Sequence, residues 1–137
     1  MPLDKTNALV ADLAAALKLP PIPPDDSGGF LLTVGEATDL FIYGGDDETI
    51  LVVVPIAELP HDLDYGLGLY LLRTNMFNSD LTPFQVAADE QGGLILWGRL
   101  QIATLDGASL AGLIGALADR AVGIRAEAAG DEAPAPA

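Results

Sequence analysis

The residues that decide how this chain folds run from Gly93 to Asp106: Gly93-Leu94-Ile95-Leu96-Trp97-Gly98-Arg99-Leu100-Gln101-Ile102-Ala103-Thr104-Leu105-Asp106. Successive side chains of a strand point to opposite faces, so Leu94 and Leu96 face one way and Ile95 and Trp97 the other. The segment Leu94–Leu100 is therefore a strand that is apolar on both faces. The last helix starts at Asp106, whose short carboxylate is a good helix N-cap. Leu105 precedes that cap and Leu110 follows at the spacing of a hydrophobic staple. Beyond it, Leu110, Leu113, Ile114, Leu117, Ala121 and Ile124 form the stripe of a helix buried on one side, with Asp119, Arg120, Arg125 and Glu127 turned to water.

Upstream, Asp89-Glu90-Gln91-Gly92-Gly93 reads as a tight turn joining a preceding strand, Phe84–Ala88. Arg99 is expected at a sheet edge. A helix is expected over Pro60–Asn75, with Leu63, Leu67 and Leu71 on one stripe. Tyr65, Leu69 and Leu72 lie on another, with Tyr70 between. A helix apolar nearly all round is buried on more than one side, here between its own sheet and a second subunit.

The N-terminal part begins with an amphipathic helix over Leu3–Lys18, in which Leu9, Leu13 and Leu17 recur every four residues. Pro20-Pro21-Ile22-Pro23-Pro24 stops it, because proline supplies no N–H and restricts the residue before it. Asp25–Gly29 continues as loop. Three strands follow, Phe30–Val34, Asp39–Tyr43 and Thr49–Pro55, separated by Gly35–Thr38 and Gly44–Glu48. Strands apolar on both faces usually have both faces covered. The order is α-β-β-β-α-β-β-α, an α+β fold with an antiparallel sheet and helices on one face. One domain spans residues 1–129, and the acidic Pro/Ala-rich tail 130–137 is expected to be disordered.

Composition narrows the function. The chain has 137 residues, a formal charge of −14 and no cysteine. Such a charge repels nucleic acid and anionic membrane surfaces. Mean hydropathy is +0.38, yet the apolar run Ile50–Ala57 contains Pro55 and falls far short of the roughly 20 residues of a membrane-spanning helix. The N-terminus lacks the basic and long apolar regions of a signal peptide, so a cytoplasmic location is expected. The surplus of apolar residues belongs in a core, an oligomer interface or a partner groove.

No catalytic constellation emerges. His61 is the single histidine and has no nucleophile or second histidine beside it, so a helix-start or surface role is favoured over a base or metal ligand. Asp46-Asp47-Glu48 matches no calcium loop and reads as a solvated turn, as do Asp25-Asp26 and Asp89-Glu90. The Gly pairs 28–29, 44–45 and 92–93 lack the lysine and Ser/Thr of a P-loop and read as turn glycines. Neither a catalytic residue, a metal site nor a cofactor is expected.

Two stretches carry a family likeness. Leu71-Leu72-Arg73-Thr74-Asn75-Met76-Phe77 resembles an LL-x-x-N-x-F pattern. Gly93-Leu94-Ile95-Leu96 with Leu100-Gln101-Ile102 resembles a G-x-L-x-L…L-x-L strand that leads through Leu105-Asp106 into the last helix. Together they resemble the class I type III secretion chaperones, the Tir-chaperone-like family, whose topology and acidity also fit. The resemblance implies a cytoplasmic bacterial homodimer that binds the N-terminal segment of one or more secreted effectors, holds it extended, and hydrolyses no nucleotide. It also implies docking of the cargo at secretion-apparatus components. An added strand and a short helix in an apolar groove are the implied binding modes. The double-sided strands make Leu13, Leu17, Phe84, Ile95 and Trp97 the expected effector-binding groove, against the plain alternative that they close the core. Leu67, Tyr70 and Leu71 are the expected dimer interface. A same-fold regulatory module that binds a folded partner outside secretion is the second reading, and a small hydrolase or metal enzyme the third.

Overall fold

The computed structural model describes residues 2–26, 28–34, 38–44, 46, 48–59, 62, 64–76 and 83–129, with residues 2–4 described by backbone only. The elements are α1 (Pro2–Ala16), β1 (Phe30–Val34), β2 (Thr38–Gly44), β3 (Thr49–Glu58), α2 (Tyr65–Thr74), β4 (Gln85–Ala88), β5 (Gly93–Gln101), a single 3-10 turn (Ile102–Thr104) and α3 (Gly107–Ala128). This is the expected order. The expected start of the second helix at Pro60, the stripe residue Leu63, the His61, Gly45 and Asp47 readings, Phe77, Gly35–Ala37 and the tail 130–137 lie outside the described residues.

The five strands form one antiparallel sheet in the order β1-β2-β3-β5-β4. Hairpins join β1 to β2, β2 to β3 and β4 to β5, and β5 pairs with β3 across the sheet. Arg99 lies opposite Leu51 of β3, on a strand whose outer neighbour β4 pairs only with Leu94–Trp97.

α1 and α3 pack together on one face of the sheet. Phe30, Leu32, Leu40, Ile42, Ile50, Val52, Val54, Leu94 and Leu96 from the strands meet Leu9, Val10, Leu13, Leu110, Ile114, Leu117, Ala121 and Ile124 from the helices in one core. The α1–α3 junction is close. The Gly107 N–H donates to Asp12 Oδ2 at 2.7 Å, and a Cβ at Gly107 would lie 2.3 Å from the Asp12 carbonyl oxygen. Asp106 caps α3 as expected, its side chain accepting from the Ser109 N–H at 2.8 Å. Leu105 packs against the core and Leu110 is buried within it, as the staple requires.

By length and composition alone α3 is long and apolar enough to cross a membrane, but Leu110, Ile114, Leu117, Ala118, Ala121 and Ile124 bury its inner stripe on the sheet. Arg125, expected in water, turns inward. Its Nε donates to the Ile56 carbonyl at 2.7 Å. The reason lies in β3, whose register shifts between Pro55 and Ala57. Such a bulge leaves a residue without its ladder partner, and a buried carbonyl needs a donor from elsewhere.

The acidic turns hold themselves together. Asp46 Oδ1 accepts from the Glu48 and Thr49 N–H groups, both at 2.9 Å, and from the Thr49 hydroxyl at 3.0 Å. Asp89 Oδ1 accepts from Gln91 and Gly93 N–H at 2.9 and 2.7 Å, and Gly92 takes φ 82° in that turn, a conformation suited to glycine.

Candidate protein-binding surface

Among the described residues, helices cover only one face of the sheet. On the other face the register aligns a straight apolar row across the strands: Leu31 lies opposite Phe41, Phe41 opposite Val53, and Val53 opposite Trp97. Gln85 of β4 ends the row. Beside it, Tyr43 lies opposite Leu51 on one side, and Ile95 pairs with Pro55 and Ala87 on the other. The Phe41 and Tyr43 rings are stacked, with centroids 6.1 Å apart and planes 11° apart. Leu31 is 47% exposed, and Phe41, Tyr43, Leu51, Val53, Ile95 and Trp97 remain partly exposed. The expectation that both strand faces are covered thus fails within one chain: among the described residues the helices supply cover for one face only.

The polar groups around this band are few. Asp39 Oδ1 accepts from the Thr33 hydroxyl at 3.0 Å, and Arg99 is exposed. An apolar surface rimmed by polar side chains marks an interaction site on a protein that otherwise carries a large excess of charge. Backbone pairing is available beside it. β1 is an edge strand, and an extended peptide can add to such an edge.

The other edge is β4, where α2 packs. Asp64 starts α2, its Oδ1 accepting from the Leu67 N–H at 2.7 Å. Leu67 and Leu71, at 9% and 8% exposure, point into the protomer. Tyr65 and Leu72 point outward at 83% and 70% exposure, followed by Met76. An apolar cleft of about 300 Å³ opens between α2 and β4, walled by Leu71, Leu72, Val86 and Leu94. Tyr70 is half-buried against the core, and burial, reinforced by the Glu127 carboxylate, raises its phenol above the ordinary value.

The residues expected to form one groove are separated by this architecture. Leu13 is fully buried between the helices and the sheet. Phe84 is buried with its ring over Gly98, where a Cβ would lie 2.7 Å from the ring. Leu17 packs against the core at the end of α1. Ile95 and Trp97 alone of the five lie on the open face, so the five-residue groove does not form. The reason is parity: Leu94 and Leu96 already face the helices, which sends Ile95 and Trp97 to the opposite side. The dimer expectation divides in the same way. Leu67 and Leu71 form the inward stripe of α2, and the outward stripe is Tyr65 and Leu72. Sequence reasoning missed Leu31, Phe41, Tyr43, Leu51 and Val53 as surface residues. Their signal was present as the second apolar face of each strand, but period alone does not say which face a helix covers.

Among curated proteins no sequence relative is found. Solved structures are similar throughout. The Yersinia pestis type III secretion chaperone SycH, in complex with a stable fragment of YscM2, superposes with a TM-score of 0.72 at 22% identity, covering 86% of this chain and 98% of the matched one. The heterodimeric ExoU–SpcU complex of the Pseudomonas aeruginosa type III secretion system gives 0.71 at 26% identity over 85% and 94%. The ExoT–SpcS complex, also from Pseudomonas aeruginosa, gives 0.66 at 22% over 88% and 97%. These likenesses establish the fold. A model of the Tir chaperone protein (CesT) family matches residues 8–125, and the chain belongs to that family.

Proposed function

We propose that this protein is a type III secretion chaperone that binds the N-terminal segment of one or more effector proteins and keeps it extended for export. It acts as a homodimer in the bacterial cytoplasm, needs no cofactor and catalyses no reaction. The observation that carries this reading is the uncovered apolar row Leu31–Phe41–Val53–Trp97 in a member of a chaperone family. The SycH, SpcU and SpcS structures, each in complex with a second protein, support the same partner class.

The physical account is burial of alternate apolar side chains of the cargo on the open face, at roughly 25 cal/mol per Å² before ordering costs. Pairing of the cargo backbone along β1 supplies direction and register. The net charge of −14 keeps this apolar surface from self-association and favours a basic cargo segment. In the homodimer, Tyr65 and Leu72 of α2 and Met76 just beyond it meet their counterparts. The test is co-expression with the product of the neighbouring gene, followed by light scattering and limited proteolysis. A complex of two chaperones with one cargo, protected only in its N-terminal segment, is expected. A dimer that protects no secreted protein from its own secretion system would overturn the reading.

A further inference from the structure

The proline run that ends α1 is longer than a helix stop requires. One proline suffices to end a helix, yet the sequence continues Lys18-Leu19-Pro20-Pro21-Ile22-Pro23-Pro24. Four prolines hold φ near −65°, and Leu19, Pro20, Ile22 and Pro23 each precede a proline, which pushes them to extended backbone. The segment is therefore set in a polyproline II path by its covalent structure. It carries no helix or strand.

That path has three residues per turn. Leu19 and Ile22 share one edge, Pro20 and Pro23 a second, Pro21 and Pro24 the third. Ile22 packs against the core while Leu19 is 45% exposed, so the first edge is seated on the protein at Ile22 alone. All four prolines are exposed on the other two. Both ends are fastened. The Lys18 N–H donates to the Ala15 carbonyl at 3.1 Å and the Leu19 N–H to the Ala14 carbonyl at 2.9 Å, while the Asp25 N–H donates to the Gly29 carbonyl at 2.7 Å. Lys18 closes α1 at φ 58° and is exposed one residue ahead of the segment. Asp26 is exposed just beyond its other end.

We propose that Leu19–Pro24 is a second docking element, a preformed polyproline II ligand, with Lys18 exposed ahead of it in the left-handed turn that closes α1, for a partner domain with an aromatic-lined, proline-recognising groove of the SH3 kind. Such grooves take two edges of the helix and leave the third outside; here the third edge is the one that Ile22 anchors to the chaperone. The spacing Lys18-x-x-Pro21-x-x-Pro24 sets a cation ahead of two prolines, so the groove carries an acidic side chain at the end that receives Lys18. A segment ordered before binding gives up little entropy on docking. This surface is independent of the open sheet face and of its cargo.

The test uses the full chain and, as probe, a purified SH3 domain selective for a cation three residues ahead of the first of two prolines. Saturable binding is expected, with shifts in the probe's aromatic groove. The paired Pro21→Ala and Pro24→Ala changes are expected to weaken it at least about tenfold, and Trp97→Glu to leave it intact. A synthetic peptide spanning residues 17–26 is expected to compete, which keeps the test decisive if the double variant does not fold. No binding, binding undiminished by the double change, or failure of the peptide to compete would each overturn the proposal.

Discussion

The side-chain amide of Asn75 satisfies both backbone groups of Val86: Oδ1 accepts from the Val86 N–H at 2.7 Å and Nδ2 donates to its carbonyl at 3.0 Å. Asn75 is the C-cap of α2 and Val86 lies on the edge strand β4, so one amide occupies the place of a neighbouring strand. It ties α2 to the sheet and blocks strand addition at that point of β4. Asn75→Leu removes both bonds and is expected to cost about 1–3 kcal/mol, read from denaturant unfolding. Amide exchange at Val86 should accelerate in the same variant. Unchanged exchange would show that the amide does not hold this strand.

Trp97 and Leu13 separate binding from folding. Trp97→Glu places a charge on the open face and should abolish cargo binding, with a thermal melt close to the parent's. Leu13→Ala opens a cavity in the core and should cost about 2–5 kcal/mol. Collapse of the fold in the Trp97 variant would move that side chain into the core.

On α2 the two stripes give opposite outcomes. Leu72→Asp should yield a folded monomer by light scattering. Leu67→Asp buries a carboxylate within the protomer and should yield insoluble or unfolded chain. A dimeric Leu72→Asp protein would remove the outward stripe from the interface.

Gly107 is fixed by close approach of α1. Gly107→Ala drives its Cβ toward the Asp12 carbonyl oxygen and should destabilise by about 1–3 kcal/mol. Gly112→Ala, on the same helix with nothing near its Cβ, should be neutral or stabilising. Equal melting temperatures for the two variants would contradict the packing described.

Acid should weaken the fold through two exposed carboxylates. The Glu48 N–H and Thr49 hydroxyl hold Asp46 below its usual 3.8, and the Ser109 N–H and hydroxyl do the same for Asp106. A pKa lower in the folded than in the unfolded state contributes stability above the unfolded value, lost as pH falls through the folded one. Stability should therefore fall on acidification below pH 3.8, the ordinary value of both groups. Asp46→Asn with Asp106→Asn keeps the acceptor oxygens, removes the charges, and should flatten that acid limb in pH-dependent urea unfolding. An unaltered limb would assign acid sensitivity to other groups.

Local chemistry was legible from residues close in the chain. Asp106 announced its cap, Leu105 and Leu110 their staple, Gly92-Gly93 the turn, and Leu71–Asn75 with Gly93–Leu96 the family. Each depends on spacing of a few residues, which chain geometry fixes. What spacing could not supply was the choice between two apolar faces. Phe30, Leu32 and Leu40 look no more buried in sequence than Leu31, Phe41 and Val53, and the two stripes of α2 are equally apolar.

Sequence by itself therefore determined the order of elements, the antiparallel α+β class, the caps, the proline path at 20–24 and the acidic charge, all consequences of covalent restriction and short-range hydrogen bonding. Tertiary structure decided that α1 and α3 cover the Leu94–Leu96 side, that Trp97 remains on an open face, and that Arg125 reaches the Ile56 carbonyl at the β3 bulge. Those outcomes depend on contacts between residues distant in the chain, where one step of strand parity or one face of a helix separates a core residue from a binding residue.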